Sequence, residues 1–275
     1  MPFPWQAHWL PSHSHLLFFT NKGRVYAKKA YRIPEAGRTA KGTFLTNIIE
    51  LTEDETVTAI ISISEFLEGE YLTMVTKRGV IKRTLLSEFE YQRRGGKIAI
   101  NLDEDDELIF VRHTRGGENL IIATRGGLAV RFDEDNVRCM GRGARGVRGI
   151  TLVGDDYVVG VAVVDNTKKL LTVTENGMGK RTDFEDFREM KNRGGKGVSC
   201  QNINDKTGKL AAIITVADDD DIMLITNDGV IIRTSVSSVN VYSRTAGGVI
   251  VMRTGEENRI VTLSRLEKIE DSGSS

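Results

Sequence analysis

The sequence predicts an all-β protein built from propeller-like, four-stranded blades, and three observations lead to this fold class. An apolar strand, the pattern Thr-x-x-Gly and a second strand recur five times, with the glycines 56, 48, 50 and 52 residues apart. A second glycine-rich motif follows each of these units, and helical periodicity is almost absent. Units of about 50 residues that carry four short strands and stack by repetition are typical of propeller architectures.

Each Thr-x-x-Gly pattern predicts a β-hairpin. Glycine at the end of a tight turn adopts a positive φ at little cost, which allows the second strand to fold back on the first. The five threonines are Thr20, Thr76, Thr124, Thr174 and Thr226, and the five glycines are Gly23, Gly79, Gly127, Gly177 and Gly229.

The second glycine motif begins a further short strand in each repeat. It reads RTAKGTFLTNI, QRRGGKIAINL, RGARGVRGITL, NRGGKGVSCQN and SRTAGGVIVMR, and an acidic turn and an apolar strand follow it. Each repeat therefore carries about four strands. The motifs place Gly42, Gly96, Gly146, Gly195 and Gly247 in register.

These patterns divide the chain into three parts. Residues 1–15 hold both tryptophans and no repeat, and we interpret them as a poorly ordered or foreign leader. Residues 16–266 form the repeat domain, and residues 267–275 form a polar tail. The repeats span about 16–63, 71–114, 119–164, 169–216 and 221–266.

Composition excludes several classes of protein. The 275 residues contain 38 Lys+Arg and 38 Asp+Glu, so the chain as a whole has no net attraction for a polyanion. No run of 18 apolar residues is present, and two cysteines cannot form a disulfide framework, which favours a reducing, cytoplasmic compartment. We expect no catalytic residues and no metal site, because nucleophile motifs and ligand clusters are missing.

Basic side chains nevertheless concentrate in the hairpins and second glycine motifs, whereas acidic ones cluster at 103–107, 133–135 and 218–221. Repeated five times, this segregation predicts a basic belt whose regular steps suit the phosphates of a duplex. Neighbouring glycines let backbone amides approach phosphate closely. We therefore expect DNA binding by Arg38, Lys41, Arg93, Arg94, Lys97, Arg142, Arg145, Arg148, Lys191, Arg193, Lys196, Arg244, Lys82, Arg83, Arg131, Lys180, Arg181 and Arg233.

From about Leu16 to Leu266 the chain resembles the C-terminal domains of the A subunit of bacterial DNA gyrase, a family of six-bladed β-pinwheels. The most specific segments are LLFFTNKGRVY in the first repeat, GVRGI in the third, and the pattern that all five repeats share. The resemblance implies a pinwheel of which five repeats are visible.

The box motif of this family, Gln-(Arg/Lys)-Arg-Gly-Gly-(Arg/Lys)-Gly, has a degenerate counterpart here. The counterpart is Gln92, Arg93, Arg94, Gly95, Gly96, Lys97 and Ile98, with isoleucine in place of the last glycine. In the order of the family LLFFTNKGRVY belongs to the second blade, which places this loop in the third. We therefore expect that the first blade, and the true box with it, is missing.

The resemblance also implies a function. The domain would bind double-stranded DNA without sequence preference and wrap it, as part of a type II topoisomerase that introduces negative supercoils. Its partners would be the N-terminal region of the gyrase A subunit together with the gyrase B subunit, in an A2B2 complex located in the cytoplasm on the nucleoid. The chain alone would catalyse nothing and bind no cofactor, because ATP and Mg²⁺ are used by the partner subunit.

Two alternatives stay open at this point. The equivalent domain of the topoisomerase IV A subunit shares the blades and often has a decayed box, although the match of LLFFTNKGRVY favours gyrase. A propeller that acts as a scaffold for protein partners is the other alternative. Duplex binding that falls steeply with salt distinguishes a DNA-binding domain from such a scaffold.

Overall fold

Five β-hairpins of one design organise the chain, whose computed structural model describes residues 13–33, 44–90, 95–255 and 257–266. In every hairpin the glycine amide donates to the carbonyl oxygen of the Thr-x-x-Gly threonine at 2.9–3.0 Å. The five glycines have φ between 72° and 85°, and the five threonines are buried. Each threonine Oγ1 also accepts the amide four residues later, which closes the turn. The predicted hairpins are confirmed.

The repeats supply nineteen strands within the described residues. In the first repeat β1 spans His15–Thr20, β2 Arg24–Lys29 and β3 Val57–Ile63. The second contains β4 (Tyr71–Thr76), β5 (Val80–Leu85), β6 (Lys97–Ile98) and β7 (Leu108–Thr114). The third contains β8 (Asn119–Thr124), β9 (Leu128–Asp133), β10 (Val147–Arg148) and β11 (Val158–Val163).

The last two repeats follow the same order. The fourth contains β12 (Lys169–Thr174), β13 (Met178–Asp183), β14 (Val198–Ser199) and β15 (Leu210–Val216). The fifth contains β16 (Asp221–Thr226), β17 (Ile231–Ser235), β18 (Val249–Ile250) and β19 (Ile260–Leu266). The helices are short 3-10 turns at Ala30–Arg32, Leu45–Asn47, Leu86–Phe89, Glu134–Asn136, Phe184–Asp186 and Val236–Ser238.

The strands form five antiparallel sheets, and the fold is the all-β, propeller-like repeat that the sequence predicts. The sheet orders are β3-β1-β2-β6, β10-β5-β4-β7, β11-β8-β9-β14, β15-β12-β13-β18 and β17-β16-β19. Each of the first four sheets therefore takes three strands from its own repeat and its two-residue strand from the next repeat. The sequence pattern located the strands but gave no sign of this exchange. In the described residues the fifth sheet has three strands.

The described residues divide into two compact units. One contains residues 13–118 and 134–149 with the first two sheets, and its largest core cluster includes Leu17, Phe19, Leu72 and Phe89. The other contains residues 119–133 and 150–266 with the remaining three sheets. The division falls inside the third repeat because β10 completes the second sheet.

Strand β1 begins at His15, inside the range interpreted as a leader, and residues 1–12 of that range lie outside the described residues. The predicted tail, 267–275, also lies outside them. No helix in the described ranges is long and apolar enough to cross a membrane.

Candidate nucleic-acid interface

The hairpin glycine of one repeat is hydrogen-bonded to the second glycine motif of the next. The carbonyl oxygens of the first four hairpin glycines accept an amide three residues after a motif glycine. The distances are 2.8–2.9 Å for the four pairs, which are Gly23 with Ala99, Gly79 with Gly149, Gly127 with Cys200, and Gly177 with Val251. The second glycine motif is thus fixed to the edge of the preceding sheet. We call the motif segments 142–146, 193–197 and 244–248 the glycine loops.

This pairing corrects the register of the motif. The glycine directly before each two-residue strand is Gly96, Gly146, Gly197 or Gly248, with φ of 72°, 101°, 84° and 82°. The register predicted from the sequence motifs instead selects Gly195 and Gly247, which lie two residues and one residue too early. A Cβ at Gly197 would lie 2.5 Å from the carbonyl oxygen of Ala129, so the strand approaches the previous sheet too closely for any side chain. Gly42 lies outside the described residues.

Main-chain hydrogen bonds also join each glycine loop to the corresponding segment before it. The amide five residues after one motif glycine donates to the carbonyl oxygen two residues before the next motif glycine. The bonds run from Asn101 to Ala144 at 3.3 Å, from Thr151 to Gly195 at 2.9 Å and from Asn202 to Ala246 at 3.3 Å. Within each compact unit, consecutive glycine motifs therefore lie side by side.

Four predicted DNA-binding residues are exposed on or beside these loops: Arg145, Arg148, Lys191 and Lys196. Arg145 and Lys196 occupy the same position, one residue before the positive-φ glycine. The Arg145 side chain is 74% exposed, and its guanidinium pairs with Asp103 at 2.7 Å. Lys97 and Arg193 are half-buried. The predicted residues Arg38, Lys41, Gln92, Arg93 and Arg94 lie outside the described residues.

Lys82 and Lys180 do not belong to the exposed set, which corrects the expectation drawn from their charge. Both side chains are fully buried, at 0% exposure. Their ammonium groups donate to main-chain carbonyl oxygens, Lys82 to Ala99 at 2.7 Å and to Arg142, and Lys180 to Ser243 at 2.7 Å and to Arg244. Burial lowers the pKa of each lysine to about 8. Neither ammonium can contact a phosphate in this arrangement.

Arg83, Arg131 and Arg181 also serve the packing of one repeat on the next. Each follows the Lys82 position of its hairpin by one residue and forms a parallel bridge to the following repeat. Arg131 donates to the carbonyl oxygens of Phe184 and Phe187, and Arg181 donates to that of Val239. Because Arg83 and Arg181 are more than nine-tenths buried, they stabilise the fold rather than offer a free charge.

Arg142 and Arg244 are half-buried and occupy equivalent positions, four residues before their loop glycines. Arg142 donates to the carbonyl oxygen of Ile98 at 3.4 Å, and Arg244 donates to that of Ser199 at 2.8 Å. Ile98 and Ser199 are the second residues of β6 and β14. Both guanidinium groups thus brace one two-residue strand against the next glycine loop.

Acidic side chains reach several of these arginines, so the charges are less segregated than the sequence suggests. Arg233 pairs with Asp221, Arg181 with Asp218, and Arg83 with Asp135, whose pKa the Arg83 hydrogen bond lowers. All three acids come from the clusters that the sequence placed away from the basic belt. The pairs reduce the positive charge that Arg83, Arg181 and Arg233 can contribute, and the more exposed pair of Arg145 with Asp103 does the same for Arg145 in the absence of DNA.

The structure adds two basic residues that the sequence analysis missed, Arg138 and Arg188, both exposed. Each stands between a buried apolar residue and a methionine two positions later. The amides of Met140 and Met190 donate at 2.8 Å to the carbonyl oxygens of Arg83 and Arg131, which places the two arginines at equivalent points. The shared pattern apolar-Arg-x-Met was the available signal. Arg188 also lines a cleft of about 620 Å³ together with Lys191, Arg193 and Gly194.

No group of three or more His, Cys, Asp or Glu side chains within residues 13–33, 44–90, 95–255 and 257–266 is placed to hold a metal ion. Cys139 is exposed and Cys200 is buried, and both are free thiols. Burial raises the pKa of the Cys200 thiol to about 12, so it is protonated at neutral pH.

Comparison with known proteins agrees with this architecture. The DNA gyrase A subunit of Staphylococcus epidermidis (strain ATCC 12228 / FDA PCI 1200) is 43% identical over 266 residues, which cover 96% of this chain and 30% of the relative. The corresponding protein from Staphylococcus aureus (strain MRSA252) is 44% identical over 265 residues, 95% of this chain and 30% of the relative. The chain thus spans about 30% of the length of these curated relatives.

Two solved structures share the fold. A crystal structure of the C-terminal domain of DNA topoisomerase IV has a TM-score of 0.86 at 27% identity, covering 93% of this chain and 80% of the other. A structure of a DNA gyrase A C-terminal domain has a TM-score of 0.80 at 28% identity, covering 94% and 84%. A family model described as "DNA gyrase C-terminal domain, beta-propeller" matches residues 14–64, 70–115, 118–165, 168–217 and 220–267. The resemblance seen in the sequence is confirmed, and the chain belongs to the family of DNA gyrase C-terminal domains.

Proposed function

We propose that this chain binds double-stranded DNA without sequence preference along its glycine loops and wraps it. The observation that carries the proposal is the equivalence of Arg145 and Lys196. Both are exposed one residue before a positive-φ glycine, in loops fixed to successive sheets. Cations that recur at one structural position suit a polymer whose charge also recurs. No recognition helix is present among the described residues, so these contacts position DNA and carry little sequence information.

A cation stands one residue before the positive-φ glycine in two of the four motifs, at Arg145 and Lys196, and wrapping would use these together with further contacts along the path. Bending a duplex over a site of this size costs several kcal/mol, and contacts distributed along the path offset that cost. Arg138, Arg148, Lys191 and Arg188 add exposed charge beside the glycine loops. We therefore expect many weak contacts rather than one dominant site.

In the full-length protein, the wrapped segment would serve a type II topoisomerase that introduces negative supercoils with ATP. Its partners would be the N-terminal region of the gyrase A subunit together with the gyrase B subunit, in an A2B2 complex on the bacterial nucleoid in the cytoplasm. The chain itself would catalyse no reaction, and ATP and Mg²⁺ would be used by the gyrase B subunit. The family membership and the 43–44% identity to full-length gyrase relatives support this assignment.

A role in topoisomerase IV is the second candidate, favoured by the TM-score of 0.86 to that enzyme's C-terminal domain. Joining the chain to its own catalytic region and adding the ATP-hydrolysing partner separates the two. Supercoiling of relaxed plasmid supports gyrase, whereas decatenation and relaxation without supercoiling support topoisomerase IV.

Titration of a fluorescent duplex of random sequence at several salt concentrations tests the binding itself. A linear fall of log affinity with log salt, equal for unrelated sequences, is the expected result. Weak binding whose affinity does not change between about 50 and 200 mM salt would contradict the proposal and favour a protein scaffold.

A further inference from the structure

Lys82 and Lys180 occupy the same place in two different sheets. Each lies three residues after its hairpin glycine, Gly79 or Gly177, on the strand that receives the next repeat. Both are fully buried, whereas lysine is almost never fully buried without a compensating partner. A buried ammonium is costly, so its retention in two sheets calls for a physical reason.

Both lysines make the same contact. Lys82 donates to the carbonyl oxygen of Arg142, and Lys180 donates to that of Arg244. Arg142 and Arg244 are the equivalent first residues of their glycine loops. A second bond from each lysine, to Ala99 or to Ser243 at 2.7 Å, fixes the direction of the ammonium group.

The titratable groups near the two lysines do not account for their position. Glu88, Arg142 and the thiol of Cys139 lie near Lys82, and Asp186, Arg244 and the protonated thiol of Cys200 lie near Lys180. Within the described ranges, no carboxylate forms an ion pair with either ammonium at 4.0 Å or less. Main-chain carbonyl oxygens are thus the partners that satisfy both groups.

We propose that Lys82 and Lys180 are positioning residues of the nucleic-acid interface, each fixing the main chain of a glycine loop from beneath. The inference rests on the proposed function, because a fixed glycine loop matters for DNA binding only if the loop contacts DNA. Held in this way, loop 142–146 presents Arg145 to the outside, and loop 244–248 is braced on β14 through Arg244. A loop that keeps one conformation loses little entropy when phosphate binds, so affinity is higher than for a loop that must be ordered.

The third glycine loop provides an internal reference. At its equivalent position the strand carries Val130, so no lysine lies beneath residues 193–197. Thr151 holds that loop through its amide to Gly195 at 2.9 Å and its hydroxyl to Gly194 at 2.7 Å, as Asn101 holds loop 142–146 through its amide to Ala144 at 3.3 Å and its side-chain amide to Gly143 at 2.6 Å. Loop 193–197 therefore has these bonds without a lysine, whereas loop 142–146 has them together with Lys82. Substitution of Lys180 should leave this loop unchanged.

The test uses the whole chain with Lys180→Met, which keeps an unbranched side chain of similar volume, one atom shorter, but removes the ammonium group that donates both bonds. Hydrogen exchange without DNA reports on the loop itself. The amide of Ala246 donates at 3.1 Å to the carbonyl oxygen of Ser243, which Lys180 also contacts. We expect exchange at Ala246 to rise about tenfold or more, while exchange at Cys200, next to the reference loop, stays within about twofold.

DNA affinity, measured on the same samples, should fall severalfold for Lys180→Met and for Lys82→Met. Lys180→Gln, which keeps a shorter donor, should be intermediate in both measurements. Unchanged exchange at Ala246 would overturn the positioning role, and so would increased exchange with unchanged DNA affinity. If the unsubstituted chain binds no duplex, the proposed function fails, whereas the exchange result still reports whether the lysine holds the loop. If Lys180→Met does not fold, Lys180→Gln and Lys82→Met decide by the same criteria.

Discussion

The amide of Val251 donates to the carbonyl oxygen of Gly177 at 2.9 Å, which joins the fifth repeat to the hairpin of the fourth. The contact leaves no room at Gly177, where a Cβ would collide with the carbonyl oxygen of Met252. Gly229, the equivalent glycine of the last hairpin, has nothing within 4 Å of a Cβ. Two glycines with the same φ sign thus differ in their surroundings.

Alanine substitution should separate the cost of a positive φ, which both glycines have, from the cost of the close approach, which only Gly177 has. Gly229→Ala carries only the cost of a positive φ and should lower the free energy of unfolding by about 1 kcal/mol. Gly177→Ala adds displacement of the strand from the next repeat and should cost about 3 kcal/mol or more. Urea unfolding followed by circular dichroism measures both values. Equal losses for the two variants would mean that the close approach at Gly177 is relieved without cost.

Loss of exposed loop charge should weaken DNA binding in equal steps. Arg145→Ala and Lys196→Ala should each reduce the slope of log affinity against log salt by about one unit, and their effects should add. Lys206→Ala, which removes an exposed lysine from a turn outside the glycine loops, is the matched control. If one of the loop variants abolished binding and the other had no effect, distributed contact would be the wrong description.

Arg181→Ala should act on stability more than on DNA binding. The side chain is buried, pairs with Asp218 and donates to the carbonyl oxygen of Val239, so its loss leaves that buried oxygen without its guanidinium donor, at a cost of about 2–3 kcal/mol. Asp218→Ala removes the 72% exposed partner and should change stability little. Thermal unfolding and duplex titration of both variants check the assignment. A large loss of affinity in folded Arg181→Ala, with no loss of stability, would return Arg181 to the DNA-binding set.

Stability should depend on pH through Lys180. Its folded-state pKa is about 8 and its unfolded value is near 10.5, so between these pH values the unfolded chain binds more protons. The free energy of unfolding therefore rises with pH across that window, and the penalty for burying the charge is fully present below about pH 8.

The measurement is the difference in unfolding free energy between the unsubstituted chain and Lys180→Met from about pH 7 to about pH 10.5. It should move in favour of the unsubstituted chain by no more than about 3 kcal/mol. Lys82 titrates in both proteins, so its contribution cancels. A flat difference would show that the Lys180 ammonium is not desolvated.

The hairpins were predictable because a single local pattern specifies them completely. Thr20 and Gly23, for example, close their turn through bonds that lie within five residues, from the amides of Gly23 and Arg24 to Thr20. The glycine loops were harder, because Gly194, Gly195 and Gly197 stand close together and only pairing with β9 selects Gly197. The spacing of the glycines along the sequence does not reveal that β9 is the partner strand.

The candidate interface was predicted in part for a similar reason. Arg145 and Lys82 are both basic residues near a glycine, and charge alone assigned them to one belt. The structure separates them, because the side chain at 82 points to a carbonyl oxygen of the following repeat. Such a contact between distant segments cannot be found from residue type and local spacing.

Because the two-residue strand of each of the first four sheets comes from the following repeat, the sheets can be completed only in sequence order during synthesis. Strand β2 ends at Lys29, yet its outer neighbour β6 begins at Lys97, so the first sheet stays one strand short until the second hairpin has been made. The same delay recurs at β5, β9 and β13. At translation rates of about 5–20 residues per second, each sheet waits several seconds with an unpaired edge. From β2 until β18 is made, the nascent chain therefore carries at least one open sheet edge, and the open edge moves along the chain as each repeat leaves the ribosome and closes the sheet before it.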